Sequence, residues 1–151
     1  MPKPTLVRVR TRRIVMCIEG KLIKSGKWWA VEIPLLLIFT QGRSKKDAFA
    51  MAKDAVECLF DDSDVRVAVS DCGNKTFCIS SSNEQALMSL ALRQQRASHN
   101  LTIRDVAARL GSKSPTAYSR YEQGKTKPSL DKFSQLLKAI DPRLDPIITV
   151  V

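Results

Sequence analysis

Apolar and polar residues follow two rhythms along this chain. Residues 14–24 and 28–33 are rich in Ile, Val, Met and Trp in a strand-like pattern, and Val65, Val67 and Val69 alternate with polar or small neighbours. Ser25, Gly26 and Lys27 predict a turn that makes a hairpin of the first two segments. Pro34 cannot donate to a ladder and ends it, and residues 36–40 predict a short third strand closed by Gln41 and Gly42. Ser44 then predicts the cap of a helix, with Asp47 three residues on and Ala48, Met51, Ala52, Ala55, Val56 and Leu59 as its buried stripe. Asp61, Asp62, Ser63 and Asp64 break that helix, and residues 71–74 turn the chain from the valine strand into a last strand over residues 76–79. Three strands, a helix and two strands predict an α+β half in which one helix covers one face of a small sheet.

After the polar linker Ser80, Ser81, Ser82 and Asn83 the rhythm changes to that of helices. Ser81 with Glu84 predicts a capping box, and Ala86, Leu87, Met88, Leu90, Ala91 and Leu92 make the following helix apolar nearly all round, which requires burial on more than one side. One side should meet the helices that follow, and the other either the first half or a second subunit. Thr102 with Asp105 caps the next helix, and Ile103, Val106, Ala107 and Leu110 form its stripe until Gly111 stops it. Ser114 can cap another helix with Pro115 as its first residue, running to about Gln123. On that helix Tyr118 and Tyr121 share one face, while Thr116, Ser119, Arg120 and Gln123 share the other. One face packs and the other is displayed. Gly124 frees the backbone, and Pro128 and Ser129 start a last helix with Leu130, Phe133, Leu136, Leu137 and Ile140 inward. Asp141 and Pro142 end it. Residues 147–151 form a strand candidate that pairs either with the chain's own first sheet or across a dimer.

Charge sharpens this division. The chain of 151 residues carries a formal charge of +10. Residues 1–13 hold five Lys or Arg and no acid, residues 14–82 hold nine of each sign, and residues 83–151 hold eleven basic and six acidic side chains. The excess therefore sits in the first arm and in the helical half, where a polyanion is the expected partner. The arm itself reads either as a segment lying on phosphates or in a minor groove, or as a solvated terminus or strand extension. The second reading is preferred, since no glycine or aromatic shapes it. Cys17, Cys58, Cys72 and Cys78 show no C-x-x-C pair and no histidine at metal spacing, so reduced core thiols are expected and neither metal nor cofactor. His99, the one histidine, reads as a solvent-facing polar residue rather than a general base. No signal peptide is visible, and the longest apolar stretch, residues 28–39, is interrupted by Glu32 and Pro34, so a cytoplasmic protein without a membrane span is expected.

Two resemblances follow from these residues. Ala107, Leu110 and Gly111, then Ser119, Arg120, Tyr121, Glu122, Gly124, Lys125, Lys127, Pro128 and Ser129, resemble the helix-turn-helix of lambda-repressor and Cro-like (Xre-type) regulators over residues 87–140, with one residue more than usual between Gly111 and Glu122. That implies operator DNA as a partner. The candidate contacts are Ser114, Thr116, Ala117, Ser119, Arg120 and Gln123, with Lys125 and Lys127 on phosphates, and a dimer placing two recognition helices about one turn of DNA apart. In the first half, Trp28, Trp29, Ala30, Val31, Glu32, Ile33 and Pro34, then Phe39, Thr40, Gln41 and Gly42, then the helix from Ala48 to Ala55, resemble the HicB family of antitoxins. It departs from that family in Lys45 and Lys46, where acids are usual, and in the apolar residues 35–38.

The HicB resemblance implies a truncated ribonuclease-H-like sheet without nuclease activity, and the antitoxin of a type II toxin-antitoxin pair that neutralises a small mRNA-cleaving HicA-like toxin and represses its own operon. The alternative is a stand-alone Xre-type regulator whose first half senses a ligand or dimerises. No enzyme is expected, because the first strand offers Met16, Cys17 and Ile18 where a metal-binding carboxylate would be needed. HicA-like toxins are basic and the first half sums to zero charge, so the expected toxin contacts are apolar: Trp28, Trp29, Leu35, Leu36, Leu37 and Ile38. The expected divisions are a basic arm at 1–13, a HicB-like domain at 14–80, a helix-turn-helix domain at 81–142 and a terminal strand at 143–151.

Overall fold

The computed structural model describes residues 14–144 and 148–150; the basic arm, residues 145–147 and Val151 lie outside the described residues. The architecture is α+β, an antiparallel sheet followed by helices. The expected first strand is two strands, β1 (Ile14–Met16) and β2 (Ile18–Ser25), broken at Cys17. They are followed by β3 (Trp28–Ile33), a 3-10 turn at Pro34–Leu36, β4 (Ile38–Gly42), the helix α1 (Lys45–Glu57), and the hairpin β5 (Val67–Gly73) and β6 (Thr76–Ser81). The third strand thus starts at Ile38 rather than residue 36, because Pro34 begins a turn that Leu37 closes in the left-handed region at φ 56°. The sheet order is β4-β3-β2-β6-β5, antiparallel throughout.

Alternation gives this sheet two unlike faces. Leu22, Val31, Ile33, Ile38, Val67, Phe77 and Ile79 are buried beneath α1 and the rest of the core. Ser44 caps α1 by accepting from the Asp47 N–H at 3.0 Å, while Asp47 Oδ2 accepts from the Arg43 N–H at 2.8 Å. The stripe of α1 is narrower than its sequence suggests. Ala48, Ala52 and Val56 are buried, whereas Met51 and Leu59 are exposed, and Phe49 takes up contact instead by meeting Phe77 edge-on with ring centroids 5.4 Å apart. Small alanines let the helix lie close to the strands. Two glycines make room for the layer: the Phe77 ring lies over Gly20, and Gly42 sits against the first turn of α1.

The second half is α2 (Glu84–Ser98), α3 (Ile103–Arg109), α4 (Thr116–Glu122) and α5 (Leu130–Ile140). Asn83, not Ser81, caps α2 by accepting from the Ala86 N–H at 3.0 Å; the Ser81 hydroxyl accepts from the Asn83 N–H one turn earlier. Helix α2 is the element both halves share. One side packs on α4 and α5, and the other on β6 and the Pro34–Leu36 turn, so the second surface it needs is the chain's own sheet half. Gln94 donates to the Leu36 carbonyl at 3.1 Å, and Gln95, itself buried, donates to the Leu35 carbonyl at 2.8 Å. These bonds satisfy carbonyls that the 3-10 turn leaves without a ladder partner. Buried residues of both halves accordingly form one continuous cluster.

The last strand, β7 (Ile148–Val150), pairs antiparallel with β1 of the same chain, Ile14 opposite Val150, as a two-stranded ribbon apart from the main sheet. The pairing thus lies within the chain, but in a ribbon of its own and not, as one of the two expectations has it, in the first sheet. Among the described residues no helix is long and apolar enough to cross a membrane.

A Cβ at Gly42 would stand 2.3 Å from the Ala48 backbone nitrogen, an atom that cannot swing aside. Gly42→Ala should therefore lower stability by about 2–3 kcal/mol, the cost of overpacking a close-packed site. Urea unfolding followed by tryptophan fluorescence checks this, and a change under about 0.5 kcal/mol, the range of ordinary surface substitutions, would show that α1 can shift away without loss.

Candidate nucleic-acid interface

The displayed helix is held from behind by a buried ionic cluster. Glu122, 4% exposed, accepts from Arg96 Nε at 2.6 Å and Nη2 at 3.0 Å, and its Oε1 also accepts from the Tyr118 hydroxyl at 2.6 Å. Arg96 gives a third bond to the Leu101 carbonyl at 3.0 Å. Burial first, then the bond to Glu122 and its charge, hold the Tyr118 phenol far above its ordinary pKa, so it remains a donor. The bonds to Glu122 likewise raise the Arg96 guanidinium. Ser89 donates to the Tyr121 carbonyl at 2.7 Å, and Gln85 donates to the Gly124 carbonyl. Helix α4 is thereby tied to α2 along its inner face. Tyr118 is buried and Tyr121 half-buried, as the spacing predicts.

Local geometry then sets how α4 is presented. Thr102 and Asp105 complete a reciprocal capping box at the start of α3, which holds the Asp105 carboxyl below its usual range, chiefly through the bond from the Thr102 N–H. At its far end the Ser112 N–H bonds the Ala107 carbonyl at 3.0 Å and the Gly111 N–H the Ala108 carbonyl at 3.0 Å, with Gly111 at φ 74°. The same closure ends α4, where Lys125 and Gly124 bond the carbonyls of Arg120 and Tyr121, with Gly124 at φ 68°. The start of α4 lies one residue later than expected: Pro115 is the cap position, and Ser114 assists by accepting from the Thr116 N–H at 3.3 Å.

On the outer face, Thr116, Ala117, Arg120 and Gln123 are exposed and Ser119 is half-buried. Gln123 donates to the Ser119 hydroxyl at 3.2 Å, and Arg120 Nε reaches Thr126 Oγ1 at 3.4 Å, which turns its guanidinium toward the loop after α4. Ser114 and Thr116 share a hydroxyl bond at 3.1 Å. An open cleft runs between the start of α3 and α4, lined by Ile103, Arg104, Pro115, Thr116, Ser119, Arg120, Gln123 and Lys125. Three cations and no carboxylate line it, which suits a phosphate backbone alongside polar groups that can meet base edges.

Two features of this face are not evident from the sequence. Arg104 joins it from the first turn of α3, since that turn crosses the start of α4; its position just after the cap, outside the apolar stripe, was the available signal. Lys127 is exposed but already paired, its Nζ 3.0 Å from Glu84 Oε2. Lys125 forms no ion pair among the described residues.

The residues first proposed for protein binding are dispersed. Leu36 and Ile38 are buried, so they belong to the core beneath α2 and cannot be surface anchors; Leu35 is half-buried beside them. Leu37 is exposed, as is Trp28 with Arg43 5.7 Å from its ring centre, while Trp29 is half-buried under Lys24. Cys58 and Cys72 are exposed and Cys78 half-buried, leaving Cys17 as the core thiol. His99 is half-buried rather than free in solvent, bonded between the Gln95 carbonyl and Asp141 Oδ2.

A family model described as helix-turn-helix matches residues 92–145. This part of the chain is an Xre-type helix-turn-helix domain, the DNA-binding unit of transcriptional regulators. No match to a curated protein was found.

Removing the Glu122 carboxylate leaves Arg96 and the Tyr118 hydroxyl without their acceptor. Glu122→Ala should cost about 3–5 kcal/mol in chemical denaturation, the penalty for breaking a buried pair from one side. Glu122→Gln, which keeps one acceptor oxygen, should cost less. Equal losses would assign the effect to the lost charge, since glutamine keeps the volume of the side chain. On DNA, Lys125→Ala should weaken binding more than Lys127→Ala, because Glu84 already neutralises Lys127; gel-shift titrations of the two variants make the comparison.

Proposed function

We propose that this protein represses transcription from an operator read by α4, and that its sheet half captures a protein: the antitoxin of a HicA/HicB-like pair whose partner is a small mRNA-cleaving toxin. The observation that carries the second part is the uncovered face of the sheet. Phe39, 72% exposed, Leu37 at 52%, Ile23 at 47% and Trp28 at 41% give that half a set of large apolar side chains open to solvent. Ile23 stands opposite Ala30, and Phe39 opposite Glu32, so three strands contribute. Such a surface is what a protein interface leaves exposed when its partner is absent. The anchors are then Trp28, Leu37, Phe39 and Ile23, with the rest of the 35–38 segment acting as their support.

The proposed HicB-type fold agrees with one helix lying across a small antiparallel sheet followed by an Xre-type domain. In this reading Arg120 takes a base edge, guanine being the natural partner of a forked guanidinium, with Thr116 and Ser119 beside it and Arg104 and Lys125 on phosphates. A recognition helix of seven residues touches few bases, so a dimer on a palindrome with half-sites about 34 Å apart is the working assembly. The dimer contact need not use β7, which has a partner within its own chain.

Arg120→Ala should weaken operator binding by about 1–3 kcal/mol and relax selection at one base pair, whereas Arg104→Ala should weaken all sequences alike and lower the salt slope by about one. Equal loss on operator and random DNA for Arg120→Ala would remove it from base reading. For the partner, the full chain co-expressed with the product of the adjacent reading frame should purify as a complex. Trp28→Ala and Phe39→Ala should each weaken that complex at least tenfold, roughly the effect of losing one anchor. Because the sheet half is neutral, its affinity should change little between low and moderate salt. A complex that dissolves as salt rises, or none at all, favours a stand-alone regulator.

A further inference from the structure

The fold gathers three of the four cysteines, though no sequence spacing pairs them. Cys17 lies at the break between β1 and β2, Cys78 lies on β6 opposite Glu19, and Cys72 lies at the bulge of β5. The Cys17 thiol donates to Cys78 Sγ at 2.8 Å, and the Cys72 thiol donates to the same sulfur at 3.2 Å. Phe77 and Ile79 point into the core, so the intervening Cys78 faces the open side of the sheet, half-buried; Cys17 is 4% exposed and Cys72 is open to solvent. Three thiolates around a zinc ion would keep their sulfurs about 3.8 Å apart, and no group of three such residues among the described ones has an arrangement that could hold a metal. The spacing suits sulfur-to-sulfur chemistry instead.

We propose that Cys78 is a peroxide-reactive thiol and that Cys72 resolves it to a disulfide, making the β5–β6 hairpin a reversible oxidation site. Cys78 is the sulfur that both other thiols touch, so a disulfide within the cluster forms through it. Cys72 meanwhile keeps its proton: its bond to Cys78, then burial, then the charges of Cys78, Asp71 and Glu19 push it up to about 11. In the first step the Cys78 sulfur, having lost its proton to solvent, attacks one oxygen of hydrogen peroxide. An S–O bond forms, the O–O bond breaks, and the departing hydroxide becomes water, leaving a sulfenic acid on Cys78. The Cys78 hydrogen bond, the first of the causes that held the proton on Cys72, and the Cys78 charge are then gone. In the second step Cys72 releases that proton and attacks the Cys78 sulfur; the S–S bond forms, the S–O bond breaks and a second water leaves. Two thiols are oxidised and one peroxide is reduced to two waters.

Cys72 is assigned as the resolving sulfur because solvent can take its proton, whereas Cys17 is enclosed. The fourth cysteine, Cys58, is the exposed C-cap of α1 and serves as an internal reference within the same chain. The full-length protein is treated with hydrogen peroxide at a small excess, alkylated at timed intervals, digested and mapped by mass spectrometry. A Cys72–Cys78 linkage should form at least about tenfold faster than any change at Cys58 and should revert fully with dithiothreitol. With Cys72→Ser, a dimedone adduct should accumulate on Cys78. Oxidation of Cys58 at the same rate or faster would show that exposure alone governs reactivity and overturn the proposal. A Cys17–Cys78 linkage in the wild-type chain would overturn the role of Cys72. The rate comparison with Cys58 and the mapping of the linkage need only the native protein, so they stand even where the variant folds poorly.

Discussion

The bond between Arg96 and Glu122 is the constraint on which the rest of this structure turns. A buried carboxylate is tolerable only with its lone pairs filled, and here a forked guanidinium and a phenol fill them from two different helices. That requirement fixes the rotation of α4 about its own axis, since Tyr118 and Glu122 must point inward together. The outward residues, Thr116, Arg120 and Gln123, are displayed as a consequence. The presentation of the candidate DNA face is thus decided by a cluster that touches no DNA.

Through α2 the same constraint reaches the sheet. Arg96 and Gln95 are neighbours on that helix, one facing the helix-turn-helix core and the other bonded to the Pro34–Leu36 turn. Ser89 and Gln85 extend the tie toward the recognition helix, and Leu87, Met88 and Leu92 fill the space between the halves. A helix apolar nearly all round cannot be a hinge. It places the open sheet face and the displayed helix in one body with a shared core.

Much of this is legible in the residues, and the failures have physical reasons. Ser44 and Thr102 cap helices where they are expected to, as does Ser129 at the start of the last helix, because a hydroxyl three residues ahead of a donor N–H is a local relation that tertiary packing leaves alone. Tyr118 and Phe133 fall inward on helical spacing. Asn83 displaced Ser81 as cap because both can accept from a nearby N–H and only the fold chooses between them. Residues 35–38 read as apolar protein contacts; a helix fifty-odd residues further on covers Leu36, and no local pattern reports that. Met51 fits the stripe of α1 by spacing yet stays exposed, and Leu59 falls past Glu57, the last residue of the helix. The thiol cluster was invisible for the same reason: Cys17 and Cys78 are joined by strand register, and register follows from which face of each strand is buried.

The ribbon of β1 and β7 joins Ile14 to Val150, nearly the whole length of the described chain. During synthesis every other strand and helix has its partners available before residues 148–150 leave the ribosome, and β1 alone must wait for them. Closing so long a loop costs little more entropy than closing one half its length, because the cost grows only with the logarithm. It still makes the ribbon the element that forms last and the first to be lost when translation stops short. A chain cut just before Ile148 would keep its helix-turn-helix and its five-stranded sheet while leaving the edge of Ile14–Met16 unpaired, a strand ready to join another.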